Sequence, residues 1–230
     1  MHKTIGIVGG MTPESTTIYY ETITRRYSQA TGDYGYPRIV INSMSFQQFV
    51  DWMNDDAWDT IADALTAAVG QLASAGADVA LMATNTMHMV FERVQTRAGI
   101  PMISIIDATA RAVKEHHLNT VGLLGTRFTM QKPFYRDGLL RSGIQTIVPD
   151  ASAQEKVHDI IFTELGRGLI TEDSKQVYLG IISDLEEQGA EGIILGCTEI
   201  PLLIQAEDCR LPLFDTAELH AVAALQAALS

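Results

Sequence analysis

Lysine and arginine are scarce in this sequence: sixteen of 230 residues against twenty-eight acidic ones, for a formal net charge of −12. Phosphate backbones and anionic membrane surfaces are held by clustered Lys and Arg, so neither nucleic acid nor a membrane is expected as a partner. Cysteine is scarcer still. Cys197 and Cys209 stand in dissimilar settings with no framework of spacings, which fits a reducing cytoplasm better than a disulfide scaffold. No apolar run approaches the roughly 20 residues of a membrane span, and the short run near the start turns at once into a glycine-rich loop, unlike the core of a signal peptide. The six histidines and two cysteines form no spaced metal cluster, and no G-x-S-x-G marks a serine nucleophile. "GIVGGM" (6–11) lacks the Lys-Ser/Thr of a phosphate loop and does not complete G-x-G-x-x-G, and no phosphate loop accompanies any of the five lysines. Nothing demands a metal or a cofactor.

What is present is an ordinary globular composition, 47% hydrophobic and 19% charged, long enough for one large α/β domain or two small ones. Apolar runs bounded by glycine or small polar residues alternate with longer helical patterns: "TIGIVGG", "RIVINS", "DVALMATN", "PMISI", "TVGLLGT", "QTIVP", "GIILGCT" and "LPLFDT". Continuous apolar runs indicate parallel strands covered on both faces, and the amphipathic stretches between them indicate crossover helices. The expected fold class is α/β with open parallel sheets.

The order of the runs carries more than their number. "TIGIVGG" (4–10) returns as "TVGLLGT" (120–126), offset by 116 residues, and "AGADVALMATNTMH" (75–88) returns as "QGAEGIILGCTEIP" (188–201), offset by 113. In the second pair Gly76 matches Gly189, Ala77 matches Ala190, Asp78 matches Glu191, and Thr84 falls opposite Cys197. Two similar offsets in the same order indicate two related halves, each a small parallel sheet. No Gly/Ser/Pro-rich linker separates them, so the boundary is set near residue 105, giving a first domain of residues 1–105 with a returning segment 214–230 and a second of residues 106–213. Parallel sheets bind ligands at the C-terminal ends of their strands. If the halves face each other across a pseudo-twofold axis, Thr84 and Cys197 approach one cleft from opposite sides.

Cys197 ends an apolar run, and Thr198 and Glu199 after it can open a helix, whose positive N-terminal end lowers a thiol pKa from about 8.5. The plainer reading is a small buried hydrophobe. Cys209, among polar residues near a loop, reads as structural. "TNTMH" places Thr84, Asn85 and Thr86 at another strand-to-helix junction, suited to a carboxylate; the plainer reading is N-capping. His88 reads as a packed or capping histidine.

Together, "TIGIVGGM", "TNTMH", "LLGT" and "GCTEIP" resemble the aspartate/glutamate racemase family, from Thr4 to the "FDTAELHA" segment, and most closely the bacterial branch acting on L-aspartate and L-glutamate. The resemblance implies two pseudo-symmetric α/β domains with the active site in the cleft between them, a small acidic amino acid as substrate, no cofactor, and a homodimer. In that family two thiols on opposite faces of the substrate Cα remove and return its proton. Carried over, Cys197 is the base for the L-enantiomer and Thr84 serves the opposite face, where "CNTxH" is common in the family and a hydroxyl here replaces the thiol. Met11, Asn85, Thr86, Thr126, Thr198 and Glu199 match substrate-binding positions. The loop "NSMSFQQF" (42–49) lacks the arginine that some aspartate racemases carry, which leaves Arg127, Arg167 and Lys132 as candidates for the side-chain carboxylate. Glu199 stands where glutamate racemases tend to carry histidine, which favours the aspartate type. A decarboxylase or related isomerase of the same fold, and a non-catalytic dicarboxylate-binding protein, are the alternatives.

Overall fold

The computed structural model describes residues 2–230, and the chain divides into two compact units, residues 1–105 with 220–230, and residues 106–219. The first half of the chain runs β1 (Ile5–Gly9), α1 (Pro13–Thr31), β2 (Ile39–Ser43), α2 (Phe46–Asn54), α3 (Trp58–Ser74), β3 (Val79–Met82), α4 (Phe91–Arg97) and β4 (Met102–Ile103). The second runs α5 (Ile105–Glu115), β5 (Thr120–Gly125), α6 (Arg127–Gln131), α7 (Pro133–Arg141), β6 (Gln145–Ile147), α8 (Ala151–Thr163), α9 (Glu172–Glu187), β7 (Ile193–Gly196), β8 (Leu213–Asp215) and α10 (Thr216–Leu229). All eight apolar runs of the sequence contain these strands.

Each unit holds a four-stranded, all-parallel sheet of the same order, β2-β1-β3-β4 in the first and β6-β5-β7-β8 in the second. The two central strands of each sheet are buried almost throughout, as continuous apolar runs predict. The outer strands are only half-covered, because an edge strand has a neighbour on one side alone.

The sequence repeat is a repeat of register. Val8 pairs with Met82 in the first unit, and their counterparts Leu124 and Leu195 pair in the second. Gly6 packs against Leu72, where an added Cβ would lie 3.1 Å from that side chain, and Gly122 meets Leu185 in the same way at 3.0 Å. The matched acids Asp78 and Glu191 make equivalent bonds. Asp78 Oδ2 accepts from the Thr4 amide at 2.7 Å, and Glu191 Oε2 accepts from the Thr120 amide at 2.8 Å. They satisfy backbone donors where the first strand of each sheet begins, at the end away from Thr84 and Cys197.

Helices are set by short local signals. α1 starts on Thr12, whose hydroxyl accepts from the Ser15 amide, with Pro13 at the first helical position, and it ends on Gly32 in a left-handed conformation. Its buried side chains, Ser15, Thr16, Tyr19, Thr22, Ile23 and Tyr27, recur at three- and four-residue spacing. In the second unit Thr171 and Asp150 cap α9 and α8 in the same manner.

The return to the first unit begins later than residue 214. Residues 213–215 form β8, which pairs with β7, and α10 is already under way when the chain re-enters the first unit at His220. Strand pairing keeps residues 213–215 with the second sheet, and the Thr216 hydroxyl, donating to Leu195 O at 2.9 Å, ties the start of α10 to it. Among the described residues no helix is long and apolar enough to cross a membrane.

Candidate functional site

In each unit the residues singled out from sequence lie at the C-terminal ends of the two central, adjacent strands. In the first, Met11 follows β1, and Thr84, Asn85 and Thr86 follow β3; all four are buried. In the second, Thr126 follows β5, and Cys197, Thr198 and Glu199 follow β7; Thr126, Thr198 and Glu199 are buried and Cys197 is partly exposed.

The loop after β1 contains glycine for a packing reason. Gly10 has φ of 85°, and a Cβ there would lie 2.2 Å from the Met44 carbonyl oxygen. Its amide donates to Thr16 Oγ1 at 2.8 Å, so the loop is closed by its own helix.

After β3 the ladder stops but the amides and carbonyls of the next two residues are still engaged. The Ala83 amide donates to Val8 O at 2.9 Å, and Ala83 O accepts from the Ser15 hydroxyl at 2.8 Å. The Thr84 amide donates to Met82 O at 2.8 Å, and Thr84 O accepts from Nδ1 of the buried His88 ring, also at 2.8 Å. A 3₁₀ turn, Thr86–Val90, follows, and the Asn85 side chain does not cap it. N-capping is therefore not what Asn85 does.

After β7 the chain makes a loose turn and then a three-residue 3₁₀ turn, Ile200–Leu202, instead of the helix expected from the sequence. So short an element has little dipole to offer. The Cys197 thiol donates to Glu199 Oε2 at 2.9 Å, and the Thr198 hydroxyl donates to the same oxygen at 2.9 Å. Burial and the adjacent carboxylate push the thiol well above the ordinary cysteine range; the amides of Glu199 and Thr198 pull the other way and lose. The expectation of a lowered thiol pKa is thereby reversed, and Glu199, two residues on, is a principal cause. Tyr178 lies in the same environment, its hydroxyl pushed well up by burial and then by Cys197 and Glu199. Cys209 is a free thiol at the rim of the second core.

Thr126 is the N-cap of α6, its hydroxyl accepting from the Thr129 amide at 3.3 Å. Of the three candidate cations, all exposed, Arg127 is next in sequence to that cap and lies 3.9 Å from Glu155. Sequence reasoning passed over Ser15, Tyr19 and His220; the three-to-four spacing of α1 was the available signal for the first two. Among the described residues no group of three or more His, Cys, Asp or Glu is placed to hold a metal ion.

Residues 8–224 match the family model for Asp/Glu/hydantoin racemases. A broad-specificity amino-acid racemase, RacX, of Bacillus subtilis is 24% identical over 215 residues, covering 92% of each chain. Among solved structures, a Yersinia pestis protein classed with the Asp/Glu racemases is 41% identical with a TM-score of 0.94, covering 99% of this chain and 100% of its own. An aspartate racemase homologue from Pyrococcus horikoshii is 38% identical with a TM-score of 0.87, again covering 99% of this chain and 100% of its own. Taken with the two matching sheets, these matches show that the chain belongs to the Asp/Glu/hydantoin racemase family.

Proposed function

We propose that the protein racemises acidic amino acids, L-aspartate or L-glutamate, without a cofactor, using Cys197 as the base for the L-enantiomer and Thr84 on the opposite face of Cα. The observation that carries this is the Cys197–Glu199 contact of 2.9 Å at the end of β7, matched in strand order and register by Thr84 at the end of β3. A thiol held by a buried carboxylate is a proton donor at rest. It becomes a base when its proton passes to Glu199, the carboxylate gaining what the sulfur loses. The thiolate then takes the Cα proton, and the resulting carbanion receives a proton from the Thr84 hydroxyl or from a water that it holds. Solvent exchange resets both groups.

In this reading Met11, Asn85, Thr86, Thr126 and Thr198 surround and orient the substrate, their short polar groups and amides suited to its α-carboxylate. Because a hydroxyl is a far weaker proton-handling group than a thiol, the Thr84 step limits the rate. The equilibrium constant between enantiomers is one, so kcat/KM is equal in both directions and the imbalance appears as a larger primary isotope effect from the deuterated D-enantiomer.

The test is incubation of the protein with each enantiomer of aspartate and glutamate in D₂O, with products separated on a chiral column and Cα deuterium read by mass spectrometry. Inversion with deuterium in the product, abolished in Cys197→Ser, is the expected result. Binding without inversion or exchange would make the protein a dicarboxylate binder instead.

A further inference from the structure

The strand end that carries Thr84 is held by a side chain to which the sequence pattern assigns no chemistry. His88 is buried, with one ring nitrogen 2.8 Å from the Thr84 carbonyl and the other 3.0 Å from the amide of Ile105. A carbonyl needs an N–H opposite it and an amide needs a bare nitrogen. Both are met only when the ring is neutral with its hydrogen on Nδ1.

The surroundings fix the same state. The ring stacks on Phe91 with centroids 5.1 Å apart and planes 5° from parallel, and meets His220 edge-on at 5.6 Å. His220, fully buried, faces the Ile103 carbonyl with Nε2 at 2.8 Å and the Tyr19 hydroxyl with Nδ1 at 2.8 Å. The Ile103 carbonyl takes the Nε2 hydrogen, and burial holds the ring down to about 4, so His220 is neutral as well and its bare Nδ1 accepts from the Tyr19 hydroxyl. Two neutral rings thus grip residues 103–105, where the chain leaves the first unit, and one of them reaches from there to Thr84. The second unit has a different arrangement at the matching place: Cys197 O accepts from the Ile200 amide at 3.2 Å, a turn closed by backbone alone.

We propose that His88 is a positioning residue, whose neutral ring ties the Thr84 carbonyl to the Ile105 amide and so fixes the peptide that carries the Thr84 hydroxyl for proton transfer. This rests on the racemase reading above. A weak proton donor contributes only when its geometry is held, since effective molarity falls steeply with misplacement. The side of the reaction with the weaker group is then the side with the additional brace. Ser15 holds the preceding carbonyl, so two successive peptides beyond the end of the ladder are fixed by side chains from α1 and from the turn after β3.

Two partial mimics separate positioning from bulk support. In His88→Asn the amide N–H falls near Nδ1 and keeps the bond to Thr84 O; in His88→Gln the amide oxygen falls near Nε2 and keeps the bond to Ile105. Each leaves a similar space in the core. If His88 positions Thr84, the Asn variant retains aspartate or glutamate racemisation within about tenfold of wild type while the Gln variant loses a further tenfold or more at equal folded fraction. Equal losses, or the reverse order, would overturn the proposal. A second measurement stands on its own: ¹⁵N spectra of the wild-type ring should give a protonated Nδ1 and a bare Nε2, and the opposite tautomer would refute the clamp even if neither variant folds. If wild type racemises neither amino acid, the racemase reading fails, while the ring spectra still decide whether the clamp exists.

Discussion

Replacing Glu199 by glutamine, in a Cys209→Ser background so that Cys197 is the only thiol, should act in opposite directions on two measurements. The carboxylate oxygen lies 2.9 Å from the sulfur, so thiolate and carboxylate charges would sit roughly 4 Å apart between centres. At an effective dielectric of about 20 that repulsion is about 4 kcal/mol, or about a thousandfold in thiolate population. Glutamine removes this and offers an N–H to the sulfur, so the thousandfold figure is the scale of the gain. Burial, the larger cause of the raised pKa, is untouched, and the thiol stays above the ordinary range. The assay is alkylation of Cys197 by iodoacetamide against pH, followed by peptide mass spectrometry. At neutral pH the variant should alkylate faster by between one and three orders of magnitude. Racemisation should nevertheless fall, because glutamine cannot take the thiol proton. An unchanged pH profile of alkylation would show that Glu199 is not what holds the proton on sulfur, and faster alkylation with faster racemisation would remove Glu199 from the proton path.

The remaining expectations are narrower. Thr84→Cys should raise kcat/KM in both directions together and reduce the isotope effect from the deuterated D-enantiomer, by giving that face a thiol; stopped or unchanged turnover would show that the hydroxyl is not the limiting group. Gly10→Ala places a Cβ 2.2 Å from a carbonyl oxygen at φ of 85° and should destabilise the protein by about 2 kcal/mol or more in urea unfolding, whereas Gly70→Ala, in open space on α3, should be neutral or stabilising. Burial pushes His220 down to about 4 from an unfolded value near 6.5. The unfolded chain therefore takes the proton first as pH falls. The stability is full above pH 6.5 and is lost between 6.5 and 4, by up to about 3 kcal/mol. Urea midpoints between pH 7 and 4 should show this slope in wild type and a smaller one in His220→Gln.

The fold was legible because each strand is a continuous apolar run with a small-residue stop, and because the repeat copies the register that pairs Val8 with Met82 and Leu124 with Leu195. The candidate site was legible for the same reason: strand ends are where such repeats run out of packing constraint. What sequence could not supply was the sign of the Cys197 shift. "GCTEI" shows a junction and an acid two residues later, but only the folded chain turns that acid onto the sulfur and shortens the following helix to a single turn. Nor could it supply the work of His88 and His220, since three of their four hydrogen-bond partners are backbone groups, which carry no sequence signal, and the fourth, the Tyr19 hydroxyl, lies 201 residues from His220.

The late return of the chain to the first unit bears on how the protein is made. Strand β1 emerges from a ribosome early, but the slot beside Tyr19 and Ile103 that His220 fills, and the acceptor for the Lys3 amide at Ala228 O, come from the segment 220–230. The second unit, synthesised later, has all of its strands as soon as β8 has emerged, before that segment is out. Translation order and completion order are therefore reversed: the half begun first is finished last. A nascent chain that has emerged only as far as residue 219 has a complete second sheet and a first unit whose Tyr19 hydroxyl still awaits the His220 ring, one half closed and the other held open.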